Sequence, residues 1–359
     1  MDRHCRYTLL LVGSMVALTL GFGLWARGFE PLWGDLTRIG WRSENAYGWT
    51  EPKLHFEPLA AEIGRLDRHY DIVAIGDSFT GESIWRPGTT WPHFLAHDTG
   101  LSVGIFDSDD DLIDRLIASP GFQVDPPEVV IYEIVERNFI PGHPSAPGEA
   151  CPVEMESPHP VLAAKPPTAP PLPDRRLTTR PWTDLPISYG LAWLIQNARR
   201  AVIGHETTNS VALNLTRSGL FSSRNDRSLL VYGEDFNKVG WVEQQWRDAA
   251  CNLLRLQQRV QTNGHTLFLA MVAPDKLTSY GPWLEDESFR RLSRLDLLAE
   301  YSALHLVRID RENFDPAAQI DLYLPDDTHW STTGHALAAE LVEQRLRTLG
   351  VLPAVTAAP

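Results

Sequence analysis

The chain has 359 residues, 43% hydrophobic and 22% charged, with a formal net charge of −14. That length holds one large domain plus a membrane segment, or two modest domains, and the composition is that of a globular protein with a sizeable core. The acidity argues against nucleic acid or an anionic membrane surface as the main partner.

Arg3 and Arg6 precede an uncharged stretch over residues 7–26. Twenty such residues suffice for one helical crossing of a hydrocarbon core ~30 Å thick. No Ala-x-Ala site follows, which favours a retained signal anchor over a cleaved peptide. Two arginines before the stretch, against Arg27 after it, put the N-terminus in the cytoplasm. The expectation is a single-pass inner-membrane protein whose domain faces the periplasm. Residues 1–27 form the anchor, 28–68 a connector, 69–350 the main domain and 351–359 a tail. Of the three cysteines, Cys5 falls at the cytoplasmic face, while Cys151 and Cys251 lie outside, where an oxidising compartment permits them to pair. They have no metal-ligand spacing, so no structural zinc is expected.

Beyond the connector, residues 71–76 (Asp-Ile-Val-Ala-Ile-Gly) form a β-branched apolar run closed by glycine, a buried parallel strand. A helix is expected over 90–98, a strand over 101–106, and a helix over 109–119 stopped by Pro120-Gly121. The acidic run from Asp107 to Asp111 lacks the glycine and closing glutamate of a calcium loop and reads as a solvated helix start. Residues 129–135 are apolar almost throughout, as in a strand buried on both faces. Thirteen prolines crowd 141–186, and no regular element is expected in that insertion. Helices follow over 188–204 and 240–262, a strand over 266–272, a helix over 289–303, a strand over 305–309 and a last helix over 334–349. Strands alternating with helices at this spacing predict a doubly wound α/β fold with a mainly parallel sheet.

Ligands of such sheets bind at the carboxyl ends of the strands. The turn there is Gly76-Asp77-Ser78-Phe79. A serine so placed is a nucleophile if a base is near, and its amide can face an oxyanion; a serine there also serves as a helix N-cap. Leu324-Pro-Asp-Asp-Thr-His-Trp runs into the last helix and puts His329 three residues after Asp326 and two after Asp327. A carboxylate that close orients an imidazole and stabilises its protonated form.

Gly76-Asp77-Ser78 and Asp326-x-x-His329 resemble the first and last blocks of the SGNH/GDSL hydrolases. That resemblance implies a flavodoxin-like sheet, with Ser78 as nucleophile, His329 as base and an aspartate orienting it. Asp327-Thr-His329-Trp330 followed by Gly334, Pro274-Asp-Lys276 followed by Tyr280, and Val135-Glu-Arg-Asn138 are similar to the alginate O-acetyltransferase group. The similarity spans about residues 70–350 without the Pro-rich insertion. In the alginate group the Asp-x-His element precedes the serine; here it follows, and the Gly-x-Asn-Asp block is missing.

The wider superfamily implies Asp326 as the triad acid, and the Trp-containing signature implies Asp327, which is favoured. Asn138 stands as the oxyanion residue, Gly104 as the middle-block glycine, and Arg137 and Lys276 as strand-end groups beside the substrate; the last two also fit ordinary ion pairs. His335 reads as structural. The resemblance implies O-acetylation of an exported glycan from an acetyl donor, alongside a membrane-bound O-acyltransferase, with no cofactor. The alternatives are an esterase sharing the same covalent intermediate, and a non-catalytic glycan-binding scaffold of the envelope.

Overall fold

The computed structural model describes residues 2–27, 34–48, 53–81, 88–144, 150–152, 157–174, 185–204 and 208–354. Six parallel strands make the central sheet: β1 Glu62–Ile63, β2 Ile72–Gly76, β3 Val103–Asp107, β4 Val129–Val135, β5 Leu267–Ala273 and β6 Leu306–Val307. Across the sheet they run β6-β5-β4-β2-β3-β1. From β2 the chain goes outward to β3, then returns to the other side of β2 for β4. This reversal opens a crevice at the carboxyl ends of β2 and β4, where doubly wound sheets hold their ligands.

The unbroken apolar runs follow from burial on both faces. Leu267, Leu269, Met271 and Ala273 enter one core, and Phe268, Ala270 and Val272 enter the other. Helices Trp91–Thr99 and Thr332–Thr348 pack together on the first face, and Glu243–Gln261 covers the second. Each large aliphatic side chain here contributes roughly 2 kcal/mol by leaving water. Ser331 caps the last helix by accepting from the amides of Thr333 and Gly334. Gly334 is required there because a Cβ would meet the Leu322 carbonyl at 2.3 Å.

Three expectations change. Where a helix is expected over 289–303, residues 287–300 hold two 3₁₀ turns, Glu287–Phe289 and Leu295–Glu300. Arg290 folds back to donate to the Leu284 carbonyl, and Arg294 leaves helical geometry. Among the described residues of the Pro-rich insertion, Leu172–Asp174 forms a short strand antiparallel to Lys53–His55. Pro173 is tolerated opposite Leu54 because the Leu54 amide points away from the ribbon, toward Thr332 Oγ1 at 3.2 Å. The domain also extends past both expected bounds. β1 lies inside the presumed connector, and Val351 and Leu352 are buried in the core. A hairpin of Ser210–Asn214 with Ser228–Tyr232 was not foreseen.

Cys151 and Cys251 are disulfide-bonded, tying the early part of the insertion to the Glu243–Gln261 helix. The N-terminal helix, Arg3–Ala26, is long and apolar enough to cross a membrane, and its side chains are largely exposed.

Candidate active site

Where β2 ends, the Asp77 side chain shapes the turn. One carboxylate oxygen accepts the Phe79 amide at 3.0 Å, and the other accepts the Val135 amide at the end of β4, at 2.9 Å. The Asp77 carbonyl takes the amides of Thr80 and Gly81. That leaves the Ser78 amide with no acceptor among the described residues and the Ser78 side chain exposed. Gly76 has no substitute here, since a Cβ would lie 2.4 Å from Glu133 Oε2. Glu133 is wholly buried and accepts from the Thr80 hydroxyl at 2.8 Å; Thr80 in turn accepts from the Trp91 indole. Burial, reinforced by the Asp77 carboxylate, lifts Glu133 well above the usual carboxylate range.

His329 Nε2 lies 2.7 Å from Ser78 Oγ, and His329 Nδ1 lies 2.6 Å from Asp327 Oδ1. With Nδ1–H donating to the buried aspartate, Nε2 is left to accept the serine proton, which is the arrangement a Ser-His-Asp relay needs. The same Asp327 oxygen accepts the His329 amide at 3.0 Å. The Phe79 ring packs against the imidazole at 5.1 Å and edge-on to Trp330 at 4.9 Å.

Lys276 holds this turn from beneath. Its ammonium donates to the carbonyls of Leu324, Pro325 and Asp327 at 2.7, 3.0 and 3.0 Å. Burial pulls its pKa down to about 8, against the opposing pull of nearby Asp326 and Asp327. A second hold comes from the far N-terminal side. Asp35 Oδ1 accepts the Thr328 amide at 2.8 Å, and the Asp35 amide donates to Asp327 Oδ2 at 3.2 Å. The amides of Leu36 and Thr37 both donate to the Asp326 carbonyl.

The structure thus brings Ser78, His329 and Asp327 together and gives the expected substrate-side residues different places. Asp326 is buried and is not the partner of the imidazole. Lys276 is buried, so it braces backbone and does not face a substrate. Arg137 is also turned inward, bonding Asp235 at 3.4 Å and the Thr328 hydroxyl at 3.3 Å, with its guanidinium over the Phe79 and Tyr232 rings. It bridges the serine turn and the histidine turn. Gly104 lies near the amino end of β3, where a Cβ would strike the Tyr70 ring at 2.7 Å; it is a packing glycine, away from the carboxyl ends of the strands. Asn138 is exposed just past β4 and, with Asp77, lines a cavity of about 680 Å³ that also takes in Tyr132, Asn252 and Arg255.

Sequence reasoning missed Asp35 and the buried charges behind the site. Lys238 bonds Glu136 at 3.2 Å and also Asp275, while Thr278 Oγ1 lies 2.7 Å from its ammonium. Burial and neighbouring Asp275 push Asp235 up to about 8. Asp35, Asp327 and His329 each offer an atom within 4.8 Å of the others, near enough for a cation. Such an ion would displace the hydrogen bond between His329 Nδ1 and Asp327, so the donor set suits the relay better than a metal.

Residues 230–358 match the family described as SGNH hydrolase-like domain, acetyltransferase AlgX. This stretch includes Lys276, Asp327 and His329; Ser78 lies outside it. A G-D-S-L family lipolytic protein from Desulfitobacterium hafniense DCB-2 is similar in structure at 13% identity, over 77% of this chain and 98% of that one, with a TM-score of 0.33. No curated protein sequence matches the chain. Residues 230–358 are thus similar to an SGNH-like domain of the AlgX type, and they contribute β5, β6 and the histidine turn to the parallel sheet and site described above.

Proposed function

We propose that this SGNH-like domain is a membrane-anchored, extracytoplasmic O-acetyltransferase that modifies an exported or envelope glycan through an acetyl-Ser78 intermediate. The observation that carries the reading is the exposed Ser78 hydroxyl 2.7 Å from His329 Nε2, with Asp327 on the other ring nitrogen. Ser78 Oγ attacks the carbonyl of an acetyl ester as Nε2 takes its proton. The developing oxyanion faces the Ser78 amide, with Asn138 at the neighbouring strand end. The imidazolium, steadied by Asp327, gives its proton to the leaving oxygen. A sugar hydroxyl then binds, loses its proton to Nε2 and attacks the acetyl-serine carbonyl. The ester bond to Ser78 breaks and the proton returns to Oγ.

The anchor reading is supported by the apolar Arg3–Ala26 helix, and the exported location by the disulfide, which persists in oxidising compartments. A membrane-bound O-acyltransferase is the proposed source of the acetyl group. The 680 Å³ cavity beside Asp77 mixes apolar walls with Asn138, Asn252 and Arg255, a lining that suits the carbon faces and hydroxyls of a sugar, with Asp77 as its link to the serine turn.

Exposure of Ser78 favours a second reading: water resolves the same intermediate and the chain is an esterase. The test uses full-length protein in detergent with a chromogenic acetyl ester and an oligosaccharide acceptor. Acetyl release and glycan mass are followed for the wild type and Ser78→Ala. Acetylated glycan formed only with Ser78 intact supports the transferase, and acetate alone supports the esterase. Equal behaviour of the two proteins removes Ser78 from both.

A further inference from the structure

Helix Ile187–Ile203 has two occupied sides and one open one. Toward the domain, Tyr189 Oη donates to the carbonyls of Thr37 and Arg42, and Arg200 donates to those of Gly40 and Trp41. Toward the N-terminal helix, contact is through small residues. A Cβ on Gly190 would lie 2.6 Å from Ala26 Cβ, and one on Gly23 would lie 3.0 Å from Leu185. The Trp25 and Trp193 rings meet edge to face at 5.7 Å. On the open side, Leu191, Leu194, Ile195 and Val202 are 51%, 42%, 53% and 87% exposed. Their spacing, with Ala198 between, puts them on a single helical stripe. Exposed Arg199 borders it.

We infer that this stripe lies in the outer interface of the lipid bilayer, holding the catalytic domain flat against the membrane. The inference rests on the anchor reading above and deepens it. The N-terminal helix has 24 residues, so it is about 36 Å long, against a hydrocarbon core of ~30 Å. Its last turn, Gly23 to Ala26, therefore emerges at headgroup level, and that turn is where Ile187–Ile203 crosses it. Two tryptophans at the crossing are the residues that favour this depth. A helix fixed there, with an apolar face and a basic border, sinks that face to the acyl boundary. Burial of apolar area drives the contact, which therefore needs no attraction between the acidic chain and anionic lipid. The other side of the same helix grips Asp35–Gly40, whose first residue braces the His329 turn. The active site then stands one short helix away from the bilayer, within reach of a donor delivered through it.

The test is spin labelling of the full-length chain in phosphatidylcholine vesicles, in a Cys5→Ser background that leaves the disulfide intact. Labels are placed by Leu191→Cys, Ile195→Cys and Val202→Cys. Leu11→Cys reports the span, and Gln244→Cys, exposed on the domain, reports water. The expected result is that all three stripe labels collide more with oxygen than with a water-soluble nickel reagent, as Leu11→Cys does, while Gln244→Cys shows the reverse. Stripe labels that behave like Gln244→Cys, with Leu11→Cys still in lipid, overturn the inference and leave the anchor standing. Stripe labels shielded from both reagents mean that protein covers the stripe, which also overturns it. If Leu11→Cys itself meets water, the anchor reading falls and this inference with it. Hydrolysis of a soluble acetyl ester by the same samples reads the catalytic proposal separately and is expected to be unchanged.

Discussion

The Asp35 backbone amide donates to the Asp327 carboxylate at 3.2 Å, although 292 residues separate the two. The Asp35 carboxylate returns the hold by accepting the Thr328 amide, and its second oxygen stands 3.8 Å from His329 Nδ1. The chain after the N-terminal helix is therefore part of the framework that orients the imidazole.

That relationship makes Asp35 a positioning residue. Asp35→Ala should lower kcat about 10-fold, the equivalent of roughly one hydrogen bond, and leave KM for a small acetyl ester nearly unchanged. Asp35→Asn keeps an acceptor for Thr328 and should recover most of the loss. Steady-state kinetics on the three proteins separates this role from a general loss of folding, which would lower active enzyme in both variants alike.

The two adjacent aspartates should separate cleanly. Asp327→Asn takes the acceptor from His329 Nδ1–H and should cost about 10⁴-fold in kcat, as loss of the correct tautomer does in other triads. Asp326→Asn should change kcat far less, because that side chain is not bonded to the ring. Equal losses in the two variants would contradict the assignment.

Lys276→Met should destabilise the fold by on the order of 3 kcal/mol, since it leaves three buried carbonyls without their donor. Relief of the buried charge offsets part of the loss. Urea denaturation measures the effect, and kcat should fall with it because the freed carbonyls belong to the turn that carries Asp327 and His329.

Glu133 supplies a pH test. Its folded pKa is raised by burial and by Asp77. Between the ordinary glutamate range and that raised value, the folded chain keeps a proton that the unfolded chain has released. Stability from this group is complete at low pH and declines as pH rises through that window. Glu133→Gln removes the dependence. The melting temperature of the variant relative to wild type should be higher at pH 7.5 than at pH 4, and an equal difference at both would contradict a buried neutral carboxyl.

How far the sequence carries this account depends on whether each signal is local. The runs at β2, β4 and β5 are legible because a strand covered on both faces has no polar positions to spare. Ser78, Asp327 and His329 are legible because each sits in a short turn whose letters constrain its shape. Asp35 is not, since nothing near it hints at a partner 292 residues away. Arg137 and Lys276 attract attention as cations at strand ends, but only packing decides that both point inward. Gly104 fails for a similar reason: a strand glycine marks a close approach, and here the neighbour is the Tyr70 ring.

The central claim is that Ser78 carries the acetyl group on its way to a sugar. The direct measurement mixes the full-length protein with an isotopically labelled acetyl ester, removes the ester and splits the sample. One half is acid-quenched for peptide mass analysis, and the other receives an oligosaccharide. The account predicts one labelled acetyl group on the Ser78 peptide, lost when the oligosaccharide is added as the label appears on the glycan. A label that never forms on Ser78, or forms on another residue and still reaches the glycan, would contradict it.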